Sequence, residues 1–378
     1  MTTVLVTGGV GFIGSHLLDA LIDLGYKVRA FDNLEPQVHG LTSEKPNYVN
    51  PEAEFVRGDV RDINQLEKAM TDVDVIFHEA SAVGSGQSLF EISKYVAANS
   101  LGTANLLQIL INKKTKIKKL IVASSMSVYG EGKYLCNRCG VVYPPLRSIH
   151  QMKLGLWEMT CPNCSANVAP LPIDEEKRLA PTTIYGITKR DQEDLTMTVA
   201  KAFGIPAICL RYFTVYGPRQ SLSNPYAGIF AIFVSRILDE ESPPIFEDGL
   251  EMRDFVHVKD VVRANILALE SNINYGIFNV GTGRPTSILG LANMLIQKLD
   301  SKVNPVLSGK FRPGEVRHGF ADTSKIANEL GFQPIVKIEE GISDQIQWLR
   351  SLPLSEIRSE LDLFKKLKEE AIRTGLTV

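Results

Sequence analysis

Thr3-Val-Leu-Val-Thr7 runs straight into Gly8-Gly-Val-Gly11-Phe-Ile-Gly14, and the reading of this stretch decides the fold. A short apolar run bounded by glycines is the pattern of a central strand buried on both faces. Gly8, Gly11 and Gly14 have the spacing G-x-x-G-x-x-G. Glycine lets a turn take positive φ, lets the backbone approach a bulky anion, and lets the next helix pack close to the strand. Helical patterning follows from Phe12 to Leu24, with Gly25 as its stop. A strand before and a helix after separate a dinucleotide-binding turn from a loop that is merely Gly-rich. The helix N-terminus would offer a pyrophosphate free N–H groups and a partial positive charge.

The alternation continues outward. Lys27-Val-Arg-Ala-Phe31 reads as a second strand ending at Asp32; residues 54–57 and 73–77 read as the third and fourth, with a helix over 63–70 between them. Residues 96–111 read as a helix, 120–123 as the fifth strand, 185–203 as a helix and 207–211 as a further strand. Strands alternating with helices predict an α/β, doubly wound parallel sheet of the Rossmann type. The alternation breaks between Lys133 and Pro172 and weakens beyond Tyr216. The expected organisation is a Rossmann domain over 1–132, 173–216 and 253–280, an insertion over 133–172, a smaller α/β substrate lobe over 217–252 and 281–350, and a charged amphipathic helix over 351–378.

Hydrophobic residues make up 44% and charged residues 22% of the 378, an ordinary globular balance that implies a sizeable core. The net charge of −2 gives no basic field for nucleic acid or an anionic membrane, so an anionic ligand must be held by local Arg and Lys. No apolar run reaches the ~20 residues of a bilayer-spanning helix, and the N-terminus lacks the charged leader of a signal peptide. The expectation is a cytoplasmic chain with neither nucleic acid nor membrane as partner.

Asp32 ends the second strand about 20 residues past the Gly-rich turn, where a carboxylate accepts both hydroxyls of an adenosine ribose. It would repel a 2′-phosphate, and no Arg stands beside it in Phe31-Asp-Asn-Leu34, so NAD is favoured over NADP. The competing reading of Asp32 is a turn or cap residue. Asp59, after the third strand, is placed to receive an adenine amine or else to cap the next helix.

Tyr185-Gly-Ile-Thr-Lys189 sets Tyr and Lys at i and i+4 on one helix face. A Tyr hydroxyl, with a pKa near ~10, is a poor base at neutral pH. A nearby ammonium and a positive nicotinamide ring would lower that value and let the phenol accept a proton from a sugar hydroxyl. Such spacing also arises by chance as a solvated pair. Ser124-Ser-Met-Ser-Val-Tyr-Gly130 follows the fifth strand, at the sheet edge where ligands sit, and would place Ser125 beside the same hydroxyl; helix or turn capping is the competing role for its serines.

Taken together, the Gly-rich turn, Asp32, His78-Glu-Ala80, Asn99-Ser-Leu-Gly-Thr103, Ser125, Tyr185/Lys189 and Arg211-Tyr-Phe-Thr-Val-Tyr-Gly-Pro218 resemble the extended short-chain dehydrogenase/reductases, in their nucleotide-sugar epimerase/dehydratase branch. The resemblance covers about 1–130 and 173–345. It implies that Ser125, Tyr185 and Lys189 are catalytic. It implies a dinucleotide site of Gly8, Gly11, Phe12, Ile13, Gly14, Asp32, Asn33, Asp59, Val60, Ala80 and Asn99, with Tyr185 and Lys189. The substrate side would be Ser125, Ser127, Thr214, Arg219, Arg253 and Arg317, the arginines gripping a diphosphate by charge and fork geometry; each alone is otherwise a surface ion pair. A homodimer is implied too. The related 4,6-dehydratases follow the strand with Thr-Asp-Glu; Ser125-Met126-Ser127 carries no such acid–base pair, which favours epimerisation at C4 with NAD retained. Thr214 stands where the branch usually has Asn. Residues 82–88 and 220–228, with the insertion, are most similar to dTDP-L-rhamnose 4-epimerases. UDP-sugar 4-epimerases, a nucleotide-sugar 4-dehydrogenase or reductase, and a non-catalytic NAD sensor remain open.

Cys136-Asn-Arg-Cys139 and Cys161-Pro-Asn-Cys164 are separated by 21 residues. Two C-x-x-C turns give a tetrahedral S₄ set suited to structural Zn²⁺ in a zinc-ribbon-like insertion; unliganded thiols or a redox pair are the alternatives. Trp157 is expected in the small core of that insertion and Cys209 in the main core.

Overall fold

The computed structural model describes residues 2–40, 44–113, 117–221, 224, 228–312, 314–353, 362 and 366. In chain order it forms Thr3–Thr7 (β1), Phe12–Asp23 (α1), Lys27–Asp32 (β2), Glu54–Arg57 (β3), Ile63–Ala69 (α2), Val75–His78 (β4), Gly102–Lys113 (α3) and Lys119–Ser125 (β5). The insertion adds Lys133–Cys136 (β6), Gly140–Val142 (β7) and Ala169–Leu171 (β8). Ile184–Phe203 (α4), Ala207–Tyr212 (β9), Thr214–Tyr216 (β10), Ile229–Leu238 (α5), Met252–His257 (β11), Val258–Glu270 (α6), Tyr275–Val280 (β12) and Pro285–Ser287 (β13) follow. Ile288–Lys298 (α7), His318–Gly319 (β14), Ser324–Leu330 (α8) and Ile338–Ser351 (α9) end the run. The helix expected over 351–378 lies almost wholly outside the described residues.

Seven strands form one sheet in the order β12-β9-β5-β4-β1-β2-β3, each pair parallel. The period-2 geometry of a strand sends successive side chains to opposite faces. Val4, Val6, Phe77 and Ile121 therefore enter a core with α1, α6 and α8, while Leu5, Ile76, Leu120 and Cys209 enter a second core with α2, α3 and α4. Each fully buried aliphatic side chain contributes about 1.5–3 kcal/mol, which is why these strands read as near-continuous apolar runs. Chain order reverses between β1 and β4, opening a crevice at their carboxyl ends.

Two expectations about the lobes change. β11 does not join the main sheet; it pairs with β10, antiparallel with β13, and with β14 in a smaller sheet. Its hydrophobic pattern fits either sheet, and only tertiary pairing decides. Conversely, α8 sends Ile326 and Leu330, with Phe332 just beyond it, into the main core rather than the lobe. The lobe has its own core from α5, α7 and α9, including Phe230, Phe233, Leu291, Leu295 and Ile346.

The single helix expected over 96–111 is broken in two: residues 96–101 form a π-helical turn that feeds α3. In the insertion, β7-β6-β8 make an antiparallel sheet over a small cluster of Tyr134, Cys136, Val142, Met159 and Cys161. Trp157 is not in that cluster; its ring packs outward on Phe311, 6.1 Å between centroids.

Candidate active site

Gly8 turns the chain at φ +69, and a Cβ there would lie 2.7 Å from Ala80 N. Only glycine can therefore bring β1 and β4 this close at the crevice. The turn is tied to β2 by Gly8 N donating to Phe31 O at 2.8 Å. Gly11 is the N-cap of α1 and supplies no side-chain acceptor, so first-turn N–H groups at Phe12, Ile13 and Gly14 face the crevice without an intrahelical partner. A cradle that a Cβ would fill, next to an uncapped helix N-terminus, fits a dinucleotide pyrophosphate. Ala80 N donates to Thr7 Oγ1 at 3.3 Å.

The buried Asp32 carboxylate closes β2 beside this turn. Its oxygens accept from Leu34 N at 2.9 Å and Val10 N at 3.2 Å, with His39 Nε2 at 3.7 Å. Burial pushes its pKa up, and His39 and these N–H groups oppose that. Next to it, Asn33 Nδ2 donates to Asp59 Oδ2 at 2.9 Å. Asp59 does not cap α2, a role taken by Asp62. Partial burial pushes the Asp59 carboxyl up, but hydrogen bonds from Arg61 and Asn33 outweigh it and hold it at about 2. Asn33, Arg57, Gly58, Asp59 and Gln65 line a recess of about 360 Å³. Val60 turns away from that recess and packs under α3, within 2.7 Å of where a Cβ on Gly102 would lie.

α4 carries Tyr185 and Lys189. Thr183 caps its start by accepting from Gly186 N at 3.1 Å. A Cβ on Gly186 would lie 2.6 Å from Ser127 O, so glycine there lets α4 press against the Ser125–Ser127 turn. Glu193 locks the helix to the sheet, accepting from Arg211 Nε and Nη2 at 2.8 and 2.7 Å. Within this frame Ser125 Oγ meets Ser127 Oγ at 3.2 Å and, by hydrogen bonding, favours the ionised form of Tyr185. Burial is the larger effect on Tyr185 and raises its phenol to about 12. Lys189 stands one turn further along α4, on the same side as Tyr185. Its Nζ donates to Ala123 O at 2.7 Å and lies 6.0 Å from the Tyr185 ring centroid. Burial brings its ammonium down to about 8, while Glu79 and Glu193 favour the charged form. Asn99, on the π turn, ties the crevice to α4 by donating to Thr188 Oγ1 at 2.9 Å and accepting from Ala82 N at 2.7 Å.

Glu79 was passed over by sequence reasoning beyond its place in His78-Glu-Ala80. It follows β4 and accepts from Tyr212 OH at 2.9 Å. Burial pushes its carboxyl to about 7, against Tyr212 and Lys189. The signal available was a carboxylate directly after a buried strand beside a Gly-rich turn.

The arginines are arranged otherwise than expected. Arg317 is fully buried, and its donors are spent on Glu158, Glu247 and Asp248 at 2.5–3.1 Å. A guanidinium with all its N–H groups on carboxylates has none left for a diphosphate, so Arg317 is a structural tie. Arg219 turns toward α1, pairing with Asp19 at 2.7 Å and lying over the Tyr48 ring. Arg253 stays at the lobe edge, donating to Glu315 Oε1 at 3.0 Å and to the Val316 and Arg317 carbonyls. Arg312, not singled out from the sequence, lies 4.8 Å over Phe246 with no ion pair among the described residues. Thr214 Oγ1 faces Met126 Sδ at 4.0 Å.

In the insertion, the sulfurs of Cys136, Cys139, Cys161 and Cys164 all lie within 4.8 Å of one another, with Cys136 and Cys164 3.6 Å apart. Four soft donors so grouped fit a tetrahedral divalent cation. No helix among the described residues is long and apolar enough to cross a membrane.

The NAD dependent epimerase/dehydratase family matches residues 4–148 and 159–281. The dTDP-L-rhamnose 4-epimerase of Burkholderia thailandensis is 33% identical over 349 residues, 92% of this chain and 94% of that protein. The UDP-glucose 4-epimerase of Thermotoga maritima, solved with UDP-glucose, superposes with a TM-score of 0.75 at 31% identity, covering 92% of this chain and 99% of that one. The UDP-glucuronic acid 4-epimerase of Bacillus cereus, solved with UDP-glucuronic acid and NAD, superposes at 0.76 and 30% identity, covering 93% and 100%. A parallel seven-stranded sheet, a glycine cradle at its switch point and this likeness along nine-tenths of the chain lead to one conclusion: the chain belongs to the NAD dependent epimerase/dehydratase family.

Proposed function

We propose that this protein is an NAD-dependent 4-epimerase of a nucleotide-diphosphate sugar, with dTDP-L-rhamnose and dTDP-6-deoxy-L-talose as the preferred pair. The observation that carries the reading is that α4, bearing Tyr185 and Lys189, is pressed on the Ser125–Ser127 turn at the carboxyl end of β5, with Lys189 Nζ on Ala123 O. The 4-epimerases reported above support the reaction; the dTDP sugar is our choice on the Burkholderia relative, beside relatives and structures whose sugars are carried on UDP.

Gly8, Gly11 and the N–H groups of Phe12, Ile13 and Gly14 would hold the pyrophosphate of NAD, Asp32 the adenosine ribose, and Asn33 and Asp59 the rim of the adenine recess. When bound, NAD supplies reversible two-electron exchange at sugar C4. The chain's own work is proton handling. Tyr185 Oη takes the proton from the C4 hydroxyl and returns it, and Ser125 Oγ shares that hydroxyl and fixes its direction. Lys189, anchored on Ala123 O, lends positive charge to the same corner. Ser127 and Thr214 border the sugar, and Arg253 with Arg312 edges the diphosphate side. Cys136, Cys139, Cys161 and Cys164 hold a structural Zn²⁺. Exposed Val96 and Leu101 beside α4, with exposed Ile187 on it, fit a homodimer contact.

The test is incubation of the NAD-loaded protein with dTDP-, UDP- and GDP-sugars, followed by NMR at the C4 proton. Inversion at C4 without net NADH supports the epimerase. Stoichiometric NADH release replaces it with a 4-dehydrogenase. No turnover of any sugar, with NAD firmly held, replaces it with an NAD sensor.

A further inference from the structure

The insertion is too small to hold itself together by burial. Its sheet rests on Tyr134, Met159 and Val142 with two of the four cysteines, and units of this size ordinarily need a metal or disulfides.

The same insertion reaches into the substrate lobe. Glu158, three residues before Cys161, holds Arg317 Nε and Nη2 at 3.1 and 2.5 Å and His318 Nε2 at 3.1 Å. Trp157 lies on Phe311. Arg147 reaches Glu247 Oε2 at 2.5 Å. Glu131, at the root of the insertion, accepts from Arg317 N at 2.9 Å. Except for the Arg147–Glu247 pair, which joins Arg317 through the shared Glu247 carboxylate, these contacts fall on Phe311, Arg317 and His318, and the Glu315 side chain with the 316 and 317 carbonyls positions Arg253. A continuous chain of contacts thus runs from the thiol cluster to the cation that edges the cleft.

We propose that the insertion is a metal-locked brace: a divalent cation on the four cysteine sulfurs fixes Trp157 and Glu158, which set Phe311, residues 315–318 and Arg253 for binding the substrate diphosphate. Cation occupancy then governs how tightly substrate binds and leaves the proton-handling corner at Tyr185 untouched. Glu158 is a positioning residue, acting through Arg317. The inference rests on the nucleotide-sugar reading only for what Arg253 holds.

The test uses NAD-loaded full-length protein carrying Trp348→Phe, which leaves Trp157 as the sole tryptophan. Zn²⁺ is removed with a chelator under reducing conditions and restored as Zn²⁺ or Co²⁺. The expected results are one equivalent of metal, intense thiolate-to-Co²⁺ absorption, and a red shift of Trp157 emission on stripping that reverses on reloading. KM for the nucleotide sugar rises about tenfold on stripping, with kcat changed less than about twofold and NAD retained. Glu158→Gln keeps the metal and reproduces the rise in KM. The brace is overturned if no equivalent of metal binds, if Trp157 emission ignores the metal, or if Glu158→Gln leaves KM unchanged. It is equally overturned if stripping lowers kcat and NAD retention together. Should no nucleotide sugar be turned over at all, the functional reading fails, while metal content and Trp157 emission still decide the brace.

Discussion

Lys189 Nζ donates to the carbonyl oxygen of Ala123 at 2.7 Å, which fixes the ammonium two residues before Ser125 on the same strand. The helix and the strand that carry the proposed catalytic groups are therefore joined by this charged hydrogen bond, beside the one that Ser124 Oγ donates to Glu193 Oε1. Its position, not direct contact with the Tyr185 phenol, is what the lysine contributes in this structure.

Tyr185→Phe removes the hydroxyl that the proposed mechanism assigns to the C4 hydroxyl proton. Turnover is expected to fall by about 10²–10⁴-fold, the usual worth of a positioned acid–base group, while NAD stays bound. NMR at the sugar C4 proton and absorbance of the retained cofactor check both halves. A variant that keeps more than a tenth of wild-type turnover would sink the assignment.

Asp32→Ala removes a buried carboxylate that the adenosine ribose would engage. Charged hydrogen bonds contribute about 1.5–3 kcal/mol, so NAD affinity is expected to fall roughly 10- to 150-fold and discrimination against NADP to shrink. Calorimetric titration of stripped protein with each cofactor measures this, and unchanged NAD affinity would return Asp32 to the turn-residue reading.

Glu79 gives a pH dependence with a definite sign. Burial raises its carboxyl from the ordinary 4.5 to about 7, so the folded chain binds more protons than the unfolded chain between those values. Stability from this group is complete below the unfolded pKa and is lost as pH rises through about 7. Glu79→Gln should flatten that decline, by about 1–3 °C in Tm across the window. Thermal melts of both proteins at steps of pH test it, and parallel curves would show that Glu79 titrates normally.

Arg317→Met takes the guanidinium from Asp248, Glu158 and Glu247, of which Glu247 keeps Arg147 and Glu158 keeps His318. Removing one partner of a buried pair costs about 3–5 kcal/mol, so a large loss of Tm is expected, unlike a residue that meets only substrate. Arg312→Ala, with no ion pair to lose among the described residues, should leave Tm nearly unchanged and raise KM about tenfold. The reverse pattern in melts and kinetics would restore Arg317 to the diphosphate.

The main sheet was legible because its strands are buried on both faces, so Val4-Leu5-Val6 and Leu120-Ile-Val-Ala123 stand out as apolar runs whichever face each residue takes. The Gly-rich turn, Asp32 and the Tyr185/Lys189 pair were legible because each is a local spacing. Arg317 was not, since its partners at Glu158 and Asp248 come from 159 and 69 residues away. The same holds for β11, whose neighbours in the smaller sheet are chosen by pairing rather than by pattern. The break at 96–101 left no composition signal, because a π turn differs from an α turn in count, not in residue type.

That extra residue in the turn before α3 has a consequence for phase. An α-helix advances about 100° per residue, so the widened turn re-phases everything after it. Asn99 can face the crevice while Leu106 and Leu110, downstream, still face the sheet. Excising one residue from 96–101 would restore an even helical count and force a choice between the two, swinging either the asparagine amide out of the crevice or the leucines out of the core. The bulge works as a vernier between a ligand-facing stretch and a core-facing one.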